Sequence, residues 1–347
     1  MVDPTIPVQI AALPGGSAGP GRDCRAPERW TTFSAVIVVA GESLIDLVPL
    51  RPAGHAPLRP AGDAPLRPLL PRPGGGPYNT AVALGRLGSP VAFCSRVSSD
   101  GFGEALLDGL RAAGVRTSLV QRGPEPTSLA VAEVGADGSA AYRFYVTGTA
   151  DRLFALPAEL PDGARALALG TCSLVLEPGA SAYEALLRRE AGRGVFTLLD
   201  PNIRPGLVPD AGAHRARFRG WLPSVSLLKL SEEDAAWLGG TPGCWLAEGP
   251  AAVVVTHGGR GLTVRTRAGV EAAAPAADVA VADTIGAGDT VNAALLHDLD
   301  RRGALSRRGL LALDAAGWTE VLAFAARAAG VTCSRAGAEP PYAAELD

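Results

Sequence analysis

The stretch Asp283-Thr284-Ile285-Gly286-Ala287-Gly288-Asp289-Thr290 runs directly into the apolar-periodic segment Val291 to Leu299. Small residues sit where a turn becomes a helix. The first-turn N–H groups there lack intrahelical partners and stand at the positive end of the helix dipole. Such a loop suits an anion, a transferring phosphoryl group among them. A carboxylate at its tip, Asp289, works against simple storage of phosphate, but it makes chemical sense if it takes a proton from an attacking hydroxyl. A contact with the helix dipole is the plainer alternative for the same acid.

Outward from this loop the chain alternates between strand and helix patterns. Ala35 to Ala40, Val91 to Cys94, Ala166 to Gly170, Val195 to Asp200, Ser226 to Lys229, Val253 to Thr256 and Gly261 to Thr266 read as strands. Thr80 to Leu87, Phe102 to Ala113, Ala180 to Arg193, Glu232 to Leu238, Asp289 to Leu299 and Thr319 to Ala329 read as helices. This predicts an α/β fold: a doubly wound, mostly parallel sheet with helices on both faces and ligands at the carboxyl ends of the strands. Leu129 to Val134 and Ala141 to Tyr145, joined by Gly135 to Gly138, form a hairpin signal that does not belong inside a parallel sheet. It predicts a separate small β element over the main domain.

The 347 residues carry a net charge of −3, with 47% apolar and 19% charged residues. No apolar run approaches the ~20 residues that cross a bilayer, and no basic stripe marks a nucleic-acid surface. A small-molecule partner is expected, with neither nucleic acid nor membrane. Residues 1–34 are rich in Pro, Gly and small side chains, without a signal-peptide pattern, so a disordered tail and a cytoplasmic location are expected. The cysteines at 24, 94, 172, 244 and 333 lie far apart with no C-x-x-C pair, which indicates neither a disulfide framework nor a zinc site. Lys229 is the only lysine, and arginine supplies the remaining basic charge, a pattern read as compositional bias. Arg51 to Leu58 is repeated, with His55 replaced by Asp63, over Arg59 to Leu66, and residues 51–72 read as a Pro-rich surface insertion.

A P-loop is absent, and the glycine pattern of a dinucleotide fold is missing after the first strand. A second glycine-rich helix start remains, Gly74-Gly75-Gly76-Pro77-Tyr78-Asn79, followed by a helical run that stops at Gly88. Together with Asp283 to Asp289, in this order, the pair resembles the two signatures of the ribokinase-like sugar kinases of the phosphofructokinase B type. The resemblance spans residues 35–341 and is nearest in appearance to bacterial fructokinases.

The resemblance implies the following roles. Asp289 is the general base, and the amides of Gly286, Ala287 and Gly288 form the anion hole. Asp46, Gly75, Gly76, Asn79, Arg143 and Arg204 bind substrate. Thr256, Gly258 and Gly261 belong to the nucleotide loop. The family's Asn or Ser followed three residues later by Glu, which organises Mg2+ and its waters, is here Ser231 and Asp234, a departure in the acid. Asp283 and Ile285 lie at the start of a monovalent-cation loop, so ATP, Mg2+ and K+ are the implied cofactors. Strands at 44–50 and 127–147 would make a β lid that closes over the sugar and excludes water. Lid-mediated homodimers are common among relatives.

Expected, then, is an ATP-dependent sugar kinase acting on a hydroxyl of fructose. Two alternatives stay open: a 2-keto-3-deoxygluconate kinase, with Arg143 as the cation for its acid group, and a catalytically silent sugar-binding relative.

Overall fold

Five consecutive buried residues, Val36–Ala40, form β1, and their side chains alternate between two separate cores. The computed structural model describes residues 35–49, 68–134 and 140–346. The predicted tail and the Pro-rich repeat lie outside them. The main sheet has nine strands in the order β13-β12-β11-β10-β9-β8-β1-β4-β5. These are β4 Val91–Ser98, β5 Arg116–Gly123, β8 Ala164–Gly170, β9 Phe196–Asp200, β10 Leu227–Ser231, β11 Ala252–Thr256, β12 Leu262–Thr266 and β13 Glu271–Ala274. All pairings are parallel from β5 through β11, and β12 and β13 add antiparallel.

Alternation along β1 shows why the fold is doubly wound. Ile37 and Val39 join a cluster with Leu84 of α1 (Gly76–Arg86), Leu106 of α2 (Gly101–Ala112) and Leu295 of α7 (Ala287–Arg301). The same cluster holds Leu310 of α8 (Arg307–Ala312) and Leu322 of α9 (Ala315–Cys333). Val36, Val38 and Ala40 face the other way, toward Tyr183 of α3 (Gly179–Gly192) and Phe218 of α4 (Ala211–Trp221). Leu238 of α5 (Glu232–Leu238) and Trp245 of α6 (Pro242–Glu248) complete that side. Each fully buried large apolar side chain contributes roughly 1.5–3 kcal/mol, so this two-faced pattern dominates the stability of the sheet.

From β1 the chain builds outward to β4 and β5, then returns to place β8 on the other side of β1. The strand order thus reverses between β1 and β8, where a crevice opens at the carboxyl ends.

A second sheet of four strands, in the order β3-β2-β6-β7, is the predicted small β element. It comprises β2 Leu44–Pro49, β3 Leu69–Gly74, β6 Leu129–Val134 and β7 Ala140–Tyr145. Here the sequence reading needs a correction: residues 69–72, assigned to an unpaired insertion, lie in β3 and pair antiparallel with β2. Pro71 and Pro73 are tolerated because β3 is an edge strand, whose outer side needs no ladder donors.

Candidate active site

Gly286 is the N-cap of α7, with φ of 77°, and no side chain caps the first-turn amides. A Cβ on it would lie 2.6 Å from Cβ of Ala338, so the close approach of residue 338 also demands glycine. Ala287 N–H donates to the Thr284 carbonyl at 3.3 Å, which tightens the turn. Asp283 fastens it from outside: its Oδ1 accepts from Ile285 N–H at 3.1 Å and its Oδ2 from Gly337 N–H at 2.9 Å.

Asp289 follows in the first turn of α7 and is buried. Its Oδ2 accepts from Nδ2 of Asn79 at 2.9 Å, and its carbonyl accepts from the Thr80 hydroxyl at 3.3 Å. The two glycine-rich helix starts therefore meet at this carboxylate. Burial pushes its pKa up to about 7; nearby Asp200 adds to the rise, while donation from Asn79 and the charges of Lys229 and Arg204 restrain it.

Below the loop lies a buried charged pair. Lys229, in the middle of β10, donates to Oδ2 of Asp200 at the end of β9, at 2.8 Å, and Asn292 donates to the same oxygen at 2.8 Å. The Lys229 ammonium is 3.0 Å from where a Cβ on Gly288 would stand. A compact point charge fits under that backbone, and a planar guanidinium differs from it in shape and donor geometry.

On one side of the loop is a polar cavity of about 230 Å³. Asp289, Gly286, Gly288, Gly75, Gly76, Asn79, Asp46 and Arg204 line it, along with Glu42, Thr171, Asn202, Tyr142 and Phe144. Burial pushes the Asp46 carboxyl up to about 6, with Arg204 pulling the other way. Arg204 is oriented by Asn202, donating to its Oδ1 at 2.7 Å.

One expected substrate contact lies apart from this cavity. Arg143 is exposed and is not among the lining residues, which on β7 are Tyr142 and Phe144. A strand turns alternate side chains to opposite faces, and the sequence reading placed this strand one residue out of phase.

On the other side of the loop is a cleft, also of about 230 Å³, lined by Thr256, Gly258, Gly261 and Ala287 and by the small apolar residues Ala277, Val279, Val281, Ala326 and Gly330. Thr284 and Gly288 line both spaces, so the loop is their common wall.

Ser231 and Asp234 line neither. They form a capping box for α5, and Asp234 Oδ1 also accepts from Ile203 N–H at 2.7 Å. Both carboxylate oxygens are thus engaged, Oδ2 with Ser231 N–H and hydroxyl, and the side chain braces the loop from Asp200 to Arg204. Serine followed three residues later by an acid is a cap signature, and it stood in the sequence. Among the described residues no group of three His, Cys, Asp or Glu side chains could hold a metal ion.

The sequence reading missed Glu42, Thr171, Tyr142 and Phe144 in the cavity and Lys229 and Asn292 beneath the loop. The lone lysine in an arginine-rich chain was the one available signal.

Comparison with known proteins adds the family. The model of the pfkB family of carbohydrate kinases matches residues 36–344. A fructokinase of Rhizobium leguminosarum bv. trifolii is 38% identical over 292 residues, covering 80% of this chain and 84% of that protein. A fructokinase of Escherichia coli is 33% identical over 281 residues, 78% of this chain and 86% of that one. The crystal structure of a fructokinase from Xylella fastidiosa with bound ATP superposes with a TM-score of 0.77 at 27% identity, covering 90% of this chain and 97% of that chain. With two cavities meeting at one amide-rich loop and a buried carboxylate, the chain belongs to the pfkB family of carbohydrate kinases and is an ATP-dependent sugar kinase.

Proposed function

We propose that the chain transfers the γ-phosphoryl group of ATP to a hydroxyl of fructose, with Asp289 as general base. The observation that carries this reading is that Asp289 lines the polar cavity directly after Gly288, which lines both that cavity and the apolar cleft. The sugar occupies the polar side, where Asp46, Asn79 and Arg204 meet its hydroxyls. The nucleotide occupies the other side, against Thr256, Gly258 and Gly261. ATP supplies the phosphoryl group, and its divalent metal, Mg2+ in this reading, neutralises charge on the phosphates. Asp289 takes the proton of the attacking hydroxyl, and a pKa near 7 suits a base working near neutrality. The Gly286 to Gly288 backbone at the positive end of α7 stabilises charge on the moving group. The lid sheet, through Tyr142 and Phe144, shields the reaction from water.

Charge favours a neutral sugar over a sugar acid. Among the described residues the cavity presents the carboxyl groups of Glu42, Asp46 and Asp289 against one lining cation, Arg204. A carboxylate substrate would meet net repulsion there. K+ held by backbone near Asp283 and Ile285, a cytoplasmic setting, and a homodimer with β7 as the open lid edge belong to the same reading. Activity unchanged when Na+ replaces K+, or a monomer by light scattering, would remove the corresponding part.

The test is a coupled assay of ADP release over a panel of neutral sugars and sugar acids, on wild type and Asp289→Asn. Turnover with fructose that vanishes in the variant is expected. Equal turnover in both proteins removes Asp289 as the base; silence with every sugar leaves a binding protein.

A further inference from the structure

Two non-glycine residues among those described have left-handed backbone, Thr171 at φ 63° and Asn202 at φ 38°, and both line the sugar-side cavity. Asparagine tolerates this region. A β-branched threonine does not adopt it without surroundings that impose it.

The imposing group is Glu42. It leaves the end of β1 and reaches the end of its neighbour β8, across the point where strand order reverses. Its Oε1 accepts from the Thr171 hydroxyl, and its Oε2 accepts from the Ser173 hydroxyl and from Ser173 N–H at 3.1 Å. Glu42 N–H in turn donates to the Ser173 hydroxyl at 2.7 Å. Glu42 is only 2% exposed, yet it lines the cavity wall. Burying such a group is costly, and a set of hydrogen bonds that fixes one geometry is what offsets the cost.

That geometry reaches the reacting centre. A Cβ built on Gly76 would stand 2.6 Å from the Thr171 methyl, 3.1 Å from Oδ1 of Asp289 and 3.4 Å from Nδ2 of Asn202. Thr171, Gly76, Asn202 and Asp289 therefore converge on one spot, and a change in the Thr171 backbone would move the floor beneath the acceptor hydroxyl.

We propose that Glu42 is a positioning residue of the sugar subsite: by clamping Thr171 in its left-handed conformation it sets the surface on which the sugar lies against Asp289. This role rests on the sugar-kinase reading above and adds a residue to it. Glu42 acts through Thr171 and moves no proton.

The experiment is a double-mutant cycle on the full chain, with fructose and ATP varied separately and folding checked by thermal melts. Glu42→Gln should raise the fructose KM about tenfold or more, as expected when strain is no longer held, and should leave the ATP KM unchanged. Thr171→Gly adopts positive φ unaided. In that background Glu42→Gln should cost no more than about twofold, because interacting residues are non-additive. Ser173→Ala, which removes one donor to the carboxylate, should give the same KM split in weaker form and serves if Glu42→Gln fails to fold. Multiplicative effects, a fructose KM within twofold of wild type, or an equal rise in both KM values would overturn the role while wild type still turns over. Wild type inert on every sugar would overturn the kinase reading and this role together.

Discussion

The two spaces flanking the Thr284 to Gly288 loop have nearly the same volume and opposite chemistry. The space proposed for the sugar is lined by Glu42, Asp46, Arg204 and Asp289, with the rings of Tyr142 and Phe144 beside them. Among the described residues the space proposed for the nucleotide is lined by no charged side chain and is shaped by glycine, alanine and valine. A polyol offers many hydroxyls and little shape, so recognition needs fixed acceptors and donors, with pKa shifts as the cost of burying them. A nucleotide base offers a flat apolar face, so recognition needs a slot of the right width. The loop between them serves both through its backbone.

The largest effect should come from breaking the polar side at its centre. Asp289→Asn should lower kcat by about 10²–10⁴-fold, the usual contribution of a general base. The wild-type rate should rise with pH through about 7 and level above it, since the base must be ionised. Stability runs in the opposite direction. The native carboxyl holds its proton up to about 7, whereas an unfolded Asp loses it near ~3.9. The native state therefore binds more protons between those values, and stability falls as pH rises across that window. Asp289→Asn should melt higher than wild type at pH 8 while being nearly inactive, and an unchanged or lower Tm would show that burial of this charge is not costly.

Next comes the pair beneath the loop. Lys229→Met should reduce kcat by about 10–100-fold, as for loss of one preorganised charge. It should also move the acidic limb of the pH profile upward, because Lys229 holds the pKa of Asp289 down. Lys229→Arg should not restore the rate, because a planar guanidinium presents its charge and donors differently from a compact ammonium. An arginine variant at full activity would mean that charge alone matters there.

Two smaller effects separate the cavities. Asp46→Asn should raise the fructose KM about tenfold, the worth of a hydrogen bond to a charged group, and leave the ATP KM alone. Gly330→Val should do the reverse, since even a Cβ there would stand 2.5 Å from Cβ of Ala277. If either variant moved both KM values equally, the two spaces would not be independent. Smallest of all, Arg143→Ala should change the fructose KM less than about twofold, in keeping with ordinary exposed substitutions. A large loss would return Arg143 to the substrate and revive the sugar-acid alternative.

How much of this was readable beforehand follows the same divide. The two glycine-rich helix starts were legible because tight turns, exposed amides and a misplaced acid leave a mark in the sequence. The strand and helix alternation was legible for the buried strands. It failed for β5, β13 and α4, whose mixed or arginine-rich patterns are rescued by tertiary packing. The nucleotide slot was mostly invisible, because Ala277, Val279, Ala326 and Gly330 look like any small core residues until two elements face each other. The aromatic roof was misread by one residue because strand phase depends on the turn that precedes it. Asp234 was read as a metal-site acid when its spacing from Ser231 already described a helix cap.

The solitary lysine has a practical consequence. Amine-directed acylating reagents find a single side-chain amine in this chain, and its side chain is 4% exposed beside Asp200. Outside the chain's own α-amino group, every such adduct therefore reports an opening that exposes Lys229. The protein carries a built-in clock for the opening of its catalytic core, readable by mass spectrometry without an introduced label.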